Sequence, residues 1–131
     1  MKIFDMHIHL WENDADVKNL LSAMDEAGVS GGCVFSRPPM EYDVNLGRDF
    51  GVRLEEVLTF CAAAPDRLYP ILWVHPDEEN VLEHIKLAAQ RGILGYKIIC
   101  NNFFIYEERC LEMMHLMAWL NKPVIFHTGI L

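Results

Sequence analysis

No uninterrupted apolar run in this 131-residue sequence approaches the roughly 18 residues that a membrane span needs. The N-terminus also lacks the charged start and apolar core of a secretion signal; it reads as a strand with Asp5 in its middle. Cysteine is scarce: Cys33, Cys61, Cys100 and Cys110 form no CxxC pair, and without a secretion signal they read as free, mostly buried thiols. Basic charge is short as well. Eleven Lys and Arg against 19 Asp and Glu leave a formal net charge of −8, which argues against nucleic acid or an anionic membrane surface as partner. Linkers and low-complexity segments are missing, so a single domain is expected, with a cytoplasmic location as the default. What is present is apolar substance. The hydrophobic fraction is 52% and the mean hydropathy is +0.11, enough for a sizeable core in a chain of this length.

That substance is distributed in a repeating order. A strand over Lys2–Ile8 leads through LWEND into a helix from about Asp14 to Ala27, with Val17, Leu20, Leu21 and Met24 on one stripe and Gly28 at its C-cap. GGCVFS (Gly31–Ser36) predicts a second strand. The following helix carries Leu54, Val57, Leu58 and Cys61 on one stripe and stops before Pro65. LYPILWV (Leu68–Val74) is a third strand. Asp77 is placed to N-cap a third helix that turns Val81, Leu82, Ile85, Ala88 and Ala89 inward and closes at Gly92. ILGYKII (Ile93–Ile99) is a fourth strand, Glu107–Leu120 a fourth helix, and PVIFH (Pro123–His127) a fifth strand. Short, nearly all-apolar strands alternating with amphipathic helices predict an α/β fold with a parallel sheet covered by helices. The one long connector, Arg37–Arg53, is of a length found in active-site lids and in mobile surface loops alike.

Chemistry concentrates where strands end, which is where α/β folds bind ligands. In FDMHIH (Phe4–His9), alternation along a strand puts Asp5, His7 and His9 on one face and Phe4, Met6 and Ile8 on the other. His7 and His9, about 7 Å apart along such a strand, can converge on one ion. His127 closes the fifth strand, and in a closed eight-stranded barrel the first and fifth strands face each other across the mouth. His7, His9 and His127 are therefore candidate ligands for zinc, with an open position for water. Asp5 either orients a histidine or bonds to backbone N–H groups. His75, before Pro76, is either a ligand or substrate contact or the start of a turn. Lys97 sits among apolar neighbours, where a lysine is rarely buried without a partner. Arg37, Arg48 and Arg53 in the long connector are candidates to grip a substrate carboxylate.

FDMHIH, GYKII and PVIFHTG, in this order and at these separations, resemble the amidohydrolase superfamily, and within it the amidohydrolase-related branch of metal-dependent hydrolases and carboxymuconate-semialdehyde decarboxylases. The resemblance implies a TIM (β/α)8 barrel and a divalent metal, most often zinc. It implies His7 and His9 as first-strand ligands and His127 as the fifth-strand ligand. Lys97 stands where some branches carry a carboxylated lysine, a group the single-metal branch does not need. TatD-type nucleases have an acidic residue where this fourth strand reads GYK. PHP phosphoesterases continue their HxH into a Ser-Asp-Gly run, where this chain reads LWEND.

The resemblance spans residues 1–131 but only five of eight strands, a parallel (βα)4β unit, against the roughly 250 residues of a whole barrel. The expectation is a partial barrel truncated after its fifth strand, lacking the family's sixth-strand histidine and eighth-strand aspartate. No catalytic residue is therefore assigned, whereas Lys97, His75 and Arg37 are expected to contact substrate. The implied activity of the complete protein is metal-dependent hydrolysis of a small carboxylate, ester, lactone or amide. Decarboxylation or hydration on the same site is the alternative, as is a non-catalytic fragment that self-associates or awaits a missing C-terminal half.

Overall fold

The computed structural model describes residues 2–10 and 16–127. Nine elements alternate: β1 (Ile3–His9), α1 (Val17–Glu26), β2 (Val29–Phe35), α2 (Phe50–Ala62), β3 (Leu68–Trp73), α3 (Val81–Arg91), β4 (Gly95–Ile99), α4 (Glu108–Trp119) and β5 (Val124–His127). All four strand pairings are parallel and the sheet order is β1-β2-β3-β4-β5. The sequential order gives a curled half-barrel, the first five strands of a TIM barrel, rather than a doubly wound sheet in which β1 would pair with β3.

Periodicity decides which side chains go where. Val34, Leu72, Val74, Tyr96 and Ile98 point to the convex face, where they meet Leu54 and Val57 of α2, Ile85 and Ala88 of α3, and Met113 and Met117 of α4 in the main core. The Tyr96 hydroxyl donates to the Ile85 carbonyl at 2.6 Å, which satisfies its one polar atom inside that layer. The alternate residues Cys33, Phe35 and Ile71, with Tyr69 and Ile125 against them, form a second, smaller cluster on the concave face.

Helix ends follow local chemistry. Asp16 caps α1 by accepting from the Lys18 N–H at 2.8 Å, and the expected start of that helix near Asp14 lies outside the described residues. Gly92 ends α3 at φ +105°, a conformation open to glycine at little cost. At the start of α3 the structure corrects the sequence. Asn80, at φ 59°, is the N-cap, and Asp77 instead ion-pairs with Arg109 of α4. The reason lies in the turn before α3, which sends Glu78 back toward α2: its carboxylate pairs with the buried Arg53 guanidinium and accepts the His75 N–H at 2.8 Å.

Candidate metal and substrate site

β1 does not alternate uniformly. Its register against β2 shifts between Asp5, opposite Gly32, and Ile8, opposite Val34. This bulge adds one residue to β1 and re-aims the side chains beyond it. Before it, Phe4 packs on Tyr69 (ring centroids 5.2 Å apart) and the Met6 sulfur lies 4.0 Å from the Cys33 thiol, both on the concave side. After it, His7 and His9 take the concave side, with ring centroids 4.9 and 5.2 Å from that of Phe35, while Ile8 packs against the main core. The expectation that Asp5 shares a face with the histidines is thereby corrected. Asp5 lies with Ile8 against Gly32, and its carboxylate accepts the His7 backbone N–H at 2.8 Å. It fixes the bulge and makes no bond to an imidazole.

The two histidines meet. Their Nε2 atoms are 2.8 Å apart and their rings 4.7 Å, so the nitrogens best suited to a metal point at one place. His9 is held neutral, its pKa lowered to about 4, first by burial and then by the charges of His7, Lys97 and His127. His7 is shifted down as well, by burial first and then by Lys97 and His127. Neutral imidazole is the form that ligates metal. His127, paired with Ile99 across the β4–β5 ladder, is thus close enough to act electrostatically on both rings. Among the described residues, however, no group of three His, Cys, Asp or Glu side chains is gathered tightly enough to hold a metal ion. His7 and His9 are the two donors that the described residues bring together. The third expected ligand, His127, is nearby without completing the set.

Lys97 projects from β4 onto the same face, opposite Trp73 in the β3–β4 register. It is 1% exposed, its ammonium lies 5.1 Å from the centroid of the Phe35 ring, and no carboxylate pairs with it among the described residues. Burial pushes its pKa down. Trp73, fully buried, touches both His9 (5.9 Å) and Tyr42 of the long connector (4.5 Å).

The other residues expected to contact substrate have protein partners of their own. His75 is 1% exposed and stands edge-on to Phe103 of the main core, at 5.0 Å. Its Nδ1 accepts the Asp77 N–H at 3.2 Å and its Nε2 faces the Asn102 carbonyl oxygen at 3.3 Å, which leaves neither ring nitrogen for a metal. Arg37 is buried against Glu56 of α2, its Nε 3.3 Å from the carboxylate. Arg48 donates to the Gly47 carbonyl at 2.7 Å. Arg53 donates to the carbonyls of Arg48 and Trp73 and to Glu78. Beside His127, a cavity of about 700 Å³ is lined by Cys100, Phe103, Phe104, Ile105 and Phe126. Sequence reading missed Tyr42, Trp73 and Glu78. It had a signal for the clamp, because Arg53 falls four and eight residues before Val57 and Cys61 on the buried stripe of α2.

No protein-family model matches the sequence, and no curated protein sequence matches it. Solved structures do match in fold. A probable 2-pyrone-4,6-dicarboxylic acid hydrolase from Acinetobacter baumannii, with citric acid bound, aligns with a TM-score of 0.67 and 18% identity over 98% of this chain and 50% of that one. A 5-carboxyvanillate decarboxylase from Sphingomonas paucimobilis aligns with a TM-score of 0.75 and 13% identity over 96% and 51%. A dihydroorotase from Campylobacter jejuni gives 0.54 and 20% over 97% and 38%. At these identities the likeness is one of fold, and this chain spans about half or less of each structure.

Proposed function

We propose that this chain carries the metal-binding strands of an amidohydrolase-type enzyme, a divalent-metal-dependent hydrolase acting on a small carboxylate, ester, lactone or amide. The observation that carries the reading is the convergence of the His7 and His9 Nε2 atoms on the concave face at the C-terminal end of β1. The fold likeness supports it, since hydrolases and a decarboxylase are among the similar structures. Imidazole donors favour zinc. A zinc ion bound there would lower the pKa of a coordinated water and polarise a substrate carbonyl. His7 and His9 would hold it in their neutral forms, and His127 would approach as the third ligand. Asp5, through the His7 backbone, fixes where the first ligand sits. Lys97 would meet the substrate's negative charge.

The same reading includes association. Among the described strands β1 and β5 pair on one side only, and Ile3, Phe4 and Met6 of β1 are 45%, 44% and 54% exposed. Further strands, from a second copy or another polypeptide, would cover them.

Zinc titration of the protein and its His7→Ala variant tests the proposal. Loss of an outer partner of a ligand typically weakens metal binding about 10- to 100-fold, and loss of the ligand itself is expected to cost at least as much. The exposed His115 of α4, changed to Ala, serves as the control and is expected to leave affinity unchanged. Equal zinc affinity in wild type and His7→Ala would remove the basis of the reading.

A further inference from the structure

The turn after β3 holds the β4–α4 loop at two points. The first is the buried His75, whose ring nitrogens have opposite roles. Nδ1 accepts the Asp77 N–H at 3.2 Å, so the proton of the neutral ring sits on Nε2, which donates to the Asn102 side-chain oxygen at 3.3 Å. The second point is Asp77. Its carboxylate pairs with Arg109 of α4, and Arg109 Nη2 lies 3.0 Å from the Glu107 carboxylate. Glu107 in turn accepts the Phe104 N–H at 2.7 Å. The loop is thus tied at Asn102 by the ring and at Phe104 through a chain of charges. Asn102, Phe103 and Phe104 also line the cavity beside His127, so what the turn holds is one wall of that cavity.

This arrangement does not survive a proton on Nδ1. A charged imidazole is a donor at both nitrogens, and its new N–H would face the Asp77 N–H across 3.2 Å. An acceptor stands close by: Asp77 Oδ2 is 3.8 Å from Nδ1. The turn has to move for that pair to close, and Asp77 carries the partner of Arg109 with it. We propose that His75 is a proton-operated latch: its neutral ring pins the β4–α4 loop to the turn after β3, and protonation at Nδ1 releases the outer tie of that loop. No step of the latch uses His7, His9 or His127, so it stands apart from the metal reading. Burial disfavours the charged ring and keeps its pKa below the 6.5 of free imidazole, while the Asn102 bond and Glu41 of the connector act the other way and Arg109 adds to the lowering. Of the remaining charges, Asp77 and Glu78 lie in the turn itself, and Arg53 of α2 holds Glu78. The latch is therefore shut at neutral pH and opens on the acid side of 6.5.

Proton–nitrogen correlation spectra of the histidine-labelled protein read the ring, and amide exchange reads the latch. At about pH 8 His75 is expected as the Nε2–H tautomer, with the Asp77 and Phe104 amides protected. As the ring titrates toward about pH 5, each amide should lose about 10-fold in protection, the equivalent of one hydrogen bond. The Tyr96 amide, bonded to the Pro123 carbonyl at 2.9 Å inside the sheet, should not change. In His75→Asn an amide oxygen takes the place of Nδ1 without a titrating proton, so the acid loss should vanish. Arg109→Gln breaks the outer tie without touching the ring and should bring Phe104 at about pH 8 to its acid value. An Nδ1–H tautomer at about pH 8, protection that ignores pH, or the same acid loss in His75→Asn would each overturn the inference. So would full protection of Phe104 in Arg109→Gln, or a loss at Tyr96 in step with the other two amides, which would mark unfolding of the sheet.

Discussion

On the convex side of the sheet Val34, Leu72, Tyr96 and Ile98 are fully buried beneath the helices, and the one polar side-chain atom among them, the Tyr96 hydroxyl, is bonded locally. On the concave side the same three strands offer Phe35, Trp73 and Lys97, and the edge strand adds two neutral histidines in contact. One face is packed like any domain interior. The other holds a buried ammonium with no carboxylate partner among the described residues and two imidazoles whose pKa values are lowered, arrangements that cost stability. Apolar packing and polar side chains are thus divided between the faces of one sheet, residue by alternate residue.

The division can be broken most severely from the convex side. Leu72→Ala empties space under α2 and α3 and is expected to cost about 2–5 kcal/mol in urea unfolding, as for other fully enclosed leucines. A loss below about 1 kcal/mol would mean that this layer is not the one that holds the fold. The concave side should respond with the opposite sign. Lys97→Met replaces a buried charge that no carboxylate among the described residues pairs with, and a gain of about 1 kcal/mol is expected. Destabilisation there would show that Lys97 has a structural partner, and the contrast between faces would fail.

Acid acts on the same face. His9 in the folded chain has a pKa of about 4, below the 6.5 of an unperturbed imidazole. Between those values the unfolded chain takes up a proton that the folded one refuses. The contribution is therefore fully present above pH 6.5 and is lost as pH falls toward about 4. His9→Gln should flatten that part of the stability–pH curve while leaving stability at about pH 8 nearly unchanged. An unchanged slope would assign the acid sensitivity to other groups.

Much of this is legible in the sequence because it rests on short-range periodicity. Runs such as LYPILWV and stripes such as Val81, Leu82, Ile85 and Ala88 mark the elements to within a few residues. Lys97 stands out as a lysine among apolar neighbours, and the HxH and GYK motifs carry the order of the strands through a family likeness. What escapes depends on partners distant in the chain. Nothing near Asp5 marks a shift of register. Asp77 carries the chemistry of a helix cap, yet Arg109 of a later helix takes it, and Asn80 caps in its place. Arg53 reads as a substrate clamp because only the folded chain brings Glu78 to it. Tyr42 gives no signal at all, since its meaning comes from Trp73 on another strand.

The bulge in β1 has a meaning in terms of parity. Up to Met6, even-numbered residues look into the barrel; from His7 on, odd-numbered ones do. One strand therefore delivers Phe4 and Met6, then His7 and His9, to the same side: a greasy foot and a histidine tip that strict alternation would have sent to opposite sides. Such a strand tolerates exchange of residues far better than change of length. Removing a single residue between Asp5 and Ile8 would restore perfect alternation and, in doing so, face either the foot or the tip away from the centre.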